Sequence, residues 1–257
     1  MLILNPMDVL EQFLLLLLAL AANLLSAMAG GGAGLLQLPA LIFLGLPFPI
    51  ALATHKIATV ALGAGATLKH ARGGHVHWRF ASVMLIAGLP GVVLGANTIL
   101  NVPPRLAEIA LGILTIGLGL YSIFKRELGQ HYAPRNDHGR GLLLGAVGLF
   151  VLGFFNGSLT SGTGLFVTLW LVTWFGLDFK RATAYTMILV GLFWNGTGAL
   201  ALALLAPVKW SWLPALLLGS LAGGYLGAHL AIQYGNPLIK RVFEIITILV
   251  GLALILH

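Results

Sequence analysis

From residue 12 to residue 54 the chain carries no charged side chain, yet this apolar run is cut by Gly30-Gly31-Gly32-Ala33-Gly34. About 20 residues suffice to cross the hydrocarbon core of a bilayer. A run of this length therefore holds more than one element, and the glycines mark where helix is interrupted. The arrangement returns in the second half. There the charge-free run 141–177 is cut by Asn156-Gly157-Ser158-Leu159-Thr160-Ser161-Gly162-Thr163-Gly164. Interrupted helices at matching places in two halves point to the binding site of a transporter.

Further charge-free runs cover 80–104, 182–208 and 210–239, and shorter apolar spans lie at about 49–69, 105–124 and 237–256. With 8% charged residues, 59% hydrophobic residues and a mean hydropathy of +0.99, most of the surface must face lipid or other helices. The expectation is an all-α polytopic membrane protein with eight apolar stretches. The first run is too long for a cleaved signal peptide and lacks a basic flank, so it is read as retained. The chain has no cysteine, which excludes disulfides, thiol catalysis and thiolate metal sites. Its net charge of +7 falls in loops, where it sets topology rather than binding nucleic acid.

Four features recur in order, dividing the chain into repeats of about four spans, 1–128 and 138–257, joined by the polar linker 129–137. Gly32 and Gly34 match Gly162 and Gly164. Gly45-Leu46-Pro47-Phe48 matches Gly176-Leu177-Asp178-Phe179. Ala87, Gly91 and Gly95 match Gly219, Gly223 and Gly227, a small-residue ridge that lets helix backbones approach. Arg105 and Glu108 match Arg241 and Glu244. After each break the helical stretch, 35–46 or 165–176, is only about 12 residues, roughly 18 Å. Each element is either one interrupted crossing or a hairpin that turns back at the glycines.

Positive charge separates the two. With single crossings, Lys69, Arg72, Arg79, Lys125, Arg126, Arg135, Arg140 and Lys209 share one side against Arg105, Lys180, Arg181, Lys240 and Arg241. With hairpins, Lys180, Arg181, Lys240 and Arg241 join the first group, and only Lys209 and Arg105 oppose them, with Lys56 inside the membrane. The positive-inside bias favours the second arrangement, in which the halves are inverted, each opens with a glycine-broken hairpin, and both termini lie outside the cytoplasm.

A glycine break followed by a helix presents unpaired amides at the helix start, where the partial positive charge favours anions. The starts near Leu35 and Leu165 are expected to face one another. The candidate substrate-binding residues are Gly31, Gly32, Gly34, Leu35 and Gln37 at the first break. Asn156, Ser158, Ser161, Gly162, Thr163 and Gly164 supply the second. Thr54, His55 and Lys56 join them from the second span, with Thr186 and Asn195 from its counterpart. Lys56 either neutralises a bound anion or, if it lies near the headgroups, snorkels to them. Asn156 and Asn195 serve equally well as interhelical hydrogen-bond residues. His75 and His77 sit in a basic loop without a carboxylate, read as solvated rather than metal-binding.

All seven acidic residues lie near span ends or in loops, so none is placed to carry a proton or bind sodium at mid-membrane. No Walker loop, Gly-x-Ser-x-Gly turn or His-Glu-x-x-His motif is present, and no enzymatic activity or cofactor is expected.

Over nearly its whole length the chain resembles the TauE/SafE family of sulfite and organosulfonate permeases. The likeness rests on Gly30 to Pro39, Gly45-Leu46-Pro47 and Ala51-Leu52-Ala53-Thr54 in one half. In the other it rests on Gly153 to Gly164, Gly176-Leu177 and Ala182-Thr183. It implies movement of a small sulfur-containing or organic anion across a bacterial inner membrane. The His55-Lys56 pair departs from the small hydroxyl or apolar residues expected there. Implied partners are a small anionic substrate and the lipid bilayer, with homo-oligomerisation left open. A passive anion channel and a non-transporting membrane scaffold are the competing readings.

Overall fold

The computed structural model describes residues 6–70, 76–98, 104–158 and 162–256, and they are helical almost throughout. The helices are α1 (Pro6–Ala29), α2 (Ala33–Phe43), α3 (Phe48–His70), α4 (Trp78–Thr98) and α5 (Pro104–Phe124) in the first half. The second half holds α6 (Gly139–Ser158), α7 (Thr163–Thr173), α8 (Phe179–Thr186), α9 (Asn195–Leu205) and α10 (Leu213–Leu256). A π-helical stretch, Met187–Trp194, joins α8 to α9 into one rod. α10 bends at Gly235, whose φ of 74° is not helical, so its 44 residues make two arms. Six helical segments among the described residues are long and apolar enough to cross a membrane. This is a multi-pass membrane protein.

Both breaks turn the chain back. Asn23 Nδ2 donates to Gln37 Oε1 at 2.9 Å, whereas a continuous helix would separate these residues by about 21 Å. In the second half Trp170 Nε1 donates to the Gly145 carbonyl (3.3 Å) and Trp174 Nε1 to the Gly141 carbonyl (3.0 Å). Four residues forward along α7 correspond to four back along α6, the register of an antiparallel hairpin. The two indoles stack with centroids 5.1 Å apart. The short helices start two residues earlier than the sequence suggested, at Ala33 and Thr163, so Gly34 and Gly164 lie inside helices rather than in the breaks. Gly32 (φ 102°) and Gly162 (φ 73°) take the left-handed turn immediately before each start, a conformation that costs other residues about 1–2 kcal/mol.

The small-residue ridges pack each half onto the other half's hairpin. A Cβ on Gly223 would sit 2.5 Å from the Leu20 carbonyl of α1, and those on Gly219 and Gly227 would collide with Leu16 and Leu24. Gly91 and Gly95 of α4 press likewise on Phe150 and Phe154 of α6. Lys240, buried beside Glu244 Oε1 (2.7 Å), donates to the carbonyls of Ser122 and Lys125 at the end of α5. Arg105 Nη2 donates to the Ile255 carbonyl near the end of α10 (2.5 Å). Cations near a helix C-terminus satisfy its last carbonyls and complement its dipole.

Hydrogen bonds also fix which loops share an end. The linker pairs with the α7–α8 turn (Ala133 N to Gly176 O, 2.9 Å; Phe179 N to Gly129 O, 2.8 Å). Asn236 at the α10 bend accepts from Lys180 N (2.9 Å) and donates to Gln130 O (3.0 Å). His77, before α4, donates its amide to the Tyr185 hydroxyl (2.7 Å). Arg79, Lys125, Arg126, Arg135, Arg140, Lys180, Arg181, Lys240 and Arg241 therefore gather at one end. Lys69 lies on the last turn of α3 leading into the same loop, while Arg72 and His75 lie outside the described residues. Lys209, whose amide donates to Thr54 Oγ1 (3.0 Å), marks the opposite end.

Gly223→Leu and Gly91→Leu should each destabilise the detergent-solubilised protein by about 3 kcal/mol, on the order of 10 °C in melting temperature, because backbone cannot yield as side chains do. Gly117→Ala, where a Cβ would meet nothing within 4 Å, should be neutral or slightly stabilising. Equal melting temperatures across the three would show that the ridges do not hold the halves together.

Candidate functional site

The two breaks touch. A Cβ on Gly31 would lie 2.5 Å from the Gly164 carbonyl carbon, and one on Gly164 would lie 2.9 Å from the Gly31 Cα. The Thr168 hydroxyl of α7 donates to the Gly30 carbonyl (2.8 Å) and sits 2.9 Å from Thr186 Oγ1. Gly31 N donates to the Ser26 carbonyl at 2.8 Å. The first break thus packs on the opening turns of α7 in the other half.

Lys56 reaches the second break from α3. Its side chain is fully buried, which overturns the snorkelling alternative: its ammonium ends among helices rather than at a headgroup. Nζ donates to the Asn156 carbonyl (2.7 Å) and to Asn156 Oδ1 (3.2 Å), at the C-terminal end of α6. The Asn156 amide then donates to Thr163 Oγ1 (2.9 Å) and Asn195 Oδ1 (3.3 Å), tying α6, α7 and α9 together. Gly198 leaves room for the lysine stem, since a Cβ there would come within 2.7 Å of Cε. Among the described residues no carboxylate pairs with the ammonium. Hydrogen bonds to a charged donor contribute about 1.5–3 kcal/mol each, against a burial penalty of several kcal/mol. Among the described residues the cation is thus held by neutral acceptors with no opposite charge beside it.

Other sequence candidates fall around this centre or away from it. Gln37 is buried against Asn23, and its Nε2 has no hydrogen-bond partner among the described residues. His55 is buried with Nδ1 unpartnered. Ser158 donates back to its own helix at Phe154 O (3.0 Å), and Thr54 accepts from the Lys209 amide at the far end, so neither joins the Lys56 network. Ser161 lies outside the described residues. Three contributors were missed. Thr168 and Asn23 were legible as polar residues within apolar runs, on the same grounds as Asn195. The π-helical stretch between Thr186 and Asn195 left no sequence signal. It lets Gly63 of α3 approach the Gly191 backbone, and such stretches in helices are frequent at functional sites.

The model of the sulfite exporter TauE/SafE family matches residues 15–254, nearly the entire length. The chain belongs to that family. It is 29% identical over 238 residues to a probable membrane transporter protein, ORF9, of a Sinorhizobium species, covering 92% of this chain and 89% of that one. A probable membrane transporter protein of Haemophilus influenzae is 30% identical, with 88% and 87% covered. The probable membrane transporter protein YfcA of Escherichia coli K12 is also 30% identical, with 91% and 85% covered. No solved structure matches significantly. As a member of the TauE/SafE family the chain is a membrane transporter.

Gly31→Leu and Gly162→Leu should abolish transport while leaving protein in the membrane. One drives a side chain into the opposing break, and the other places a Cβ on left-handed backbone. Gly196→Ala on α9, with open space around its Cβ, should transport normally. Wild-type flux in well-expressed Gly31→Leu protein would mean that contact between the breaks plays no part in transport.

Proposed function

We propose that this chain is a secondary transporter that exports a small anion, such as sulfite or an organosulfonate, across the bacterial inner membrane, with the anion held at the second break beside Lys56. The observation that carries this reading is the Lys56 ammonium, buried at the second break with only neutral acceptors among the described residues. An arriving anion supplies the missing opposite charge, and the helix starts at Ala33 and Thr163 add amide dipoles. Gly31, Gly32, Gly164, Thr163, Asn156 and Asn195 surround it.

The gathering of cations at one end fits inverted halves with that end in the cytoplasm. Export then needs no coupling carboxylate, because an anion leaving a negative-inside cell gains about 2.3 kcal/mol per charge per 100 mV. No resident cofactor takes part. A transporter of this kind saturates and exchanges labelled for unlabelled substrate in proteoliposomes. A passive channel does not show such counterflow, and a scaffold shows no flux.

Lys56→Gln should weaken sulfite or organosulfonate binding at least about ten-fold, or 1.4 kcal/mol. Lys209→Gln, at an exposed end, should change it little, since a desolvated charge interacts at lower effective dielectric. Lys56→Arg should rescue in part, because the planar fork replaces a point charge. Binding isotherms at matched folding decide the matter: a Lys56→Gln protein with wild-type affinity removes Lys56 from the site.

A further inference from the structure

The end that gathers the cations holds an open cavity of about 550 Å³ between residues 124–135 and the α7–α8 turn. Lys125, Arg126 and Arg135 line it, and all three are exposed. Among the described residues none of them pairs with a carboxylate. The acid on the wall, Glu127, is engaged with His131 at 3.1 Å. The two helix C-termini that end at this cavity draw on other donors. Lys240 serves the last carbonyls of α5. Arg135 and Asn136 donate to Thr173 and Trp174 at the end of α7. Among the described residues, Lys125 and Arg126 are left with positive charge that no carboxylate neutralises.

The other wall is apolar. Phe124 is 81% exposed at the mouth, and Ile113, Leu120 and Ile123 continue an exposed strip along α5. Phosphate-seeking cations next to an apolar strip on a spanning helix match a molecule with an anionic head and a hydrocarbon tail. We propose that this cavity binds the headgroup phosphate of an anionic phospholipid, with an acyl chain lying along α5. Free phosphate would satisfy the cations but leave the strip uncovered. Basic pockets between membrane helices on the cytoplasmic side recognise anionic lipids by this combination. The cavity floor includes Val172, Gly176 and Leu177 at the base of the α6–α7 hairpin, so a lipid here would brace the element that carries the second break.

The test uses full-length protein in neutral detergent, with thermal unfolding followed as ligand is added. The arms are phosphatidylglycerol, phosphatidylcholine with the same acyl chains, and inorganic phosphate. Phosphatidylglycerol should stabilise the protein, and the other two at equal concentration should not. The Lys125→Gln/Arg126→Gln double variant should weaken phosphatidylglycerol binding about twenty-five-fold, taking each cation at about five-fold, while Lys209→Gln should leave it unchanged. Both substituted positions are exposed, and retention of phosphatidylglycerol in native mass spectra gives a second reading of the same affinity. Equal stabilisation by phosphatidylcholine, an equal effect of inorganic phosphate, or a double variant that keeps wild-type affinity would each overturn the proposal.

Discussion

A helix that stops inside a bilayer leaves amides and carbonyls that lipid cannot satisfy. In this protein two helices stop, and the breaks are placed against each other. Gly31 presses on Gly164, Thr168 of one half serves the Gly30 carbonyl of the other, and Lys56 of the first half serves the Asn156 carbonyl of the second. Backbone at this distance excludes a Cβ at either glycine. The ridges Gly91/Gly95 and Gly219/Gly223/Gly227 follow from the same requirement, since each hairpin must be held by the other half for the breaks to meet.

The arrangement is not symmetric in charge. The stretch that the sequence sets against Thr54-His55-Lys56, Ala182-Thr183-Ala184-Tyr185-Thr186, has no cation, and Met187 after it packs with Ala27, Ala33 and Leu62. The second break is therefore walled by a cation and three polar side chains, while the first is met by the Thr168 hydroxyl and by apolar side chains. Burying a cation is costly, and under the proposed function an anion bound beside Lys56 would relieve that cost, so that ligand charge rather than ligand size dominates selectivity.

Much of this was legible because membrane helices leave coarse signals. Charge-free runs located the helices, and the recurring glycines located the breaks and the ridges. The cation count favoured hairpins, and the Asn23–Gln37 and Trp174–Gly141 hydrogen bonds bear that out. Helix starts were misplaced by two residues because Gly34 and Gly164 read as breakers. In the structure they are helical, and for Gly164 the close approach to Gly31 outweighs the helix cost of glycine. Thr54 was grouped with Lys56 by adjacency, but residues two apart on a helix do not share a face, and Thr54 meets Lys209 instead. The π-helical stretch, against which Gly63 packs at Gly191, had no local signature.

The central claim, that an anion binds at the second break beside Lys56, is tested most directly by locating the anion. Selenite is a heavier analogue of sulfite, and its selenium scatters anomalously. Crystals of the protein soaked with selenite should show an anomalous peak within hydrogen-bonding distance of Lys56 Nζ, lost in Lys56→Gln. A peak confined to the exposed loops, or none at concentrations that saturate binding in solution, would contradict the account.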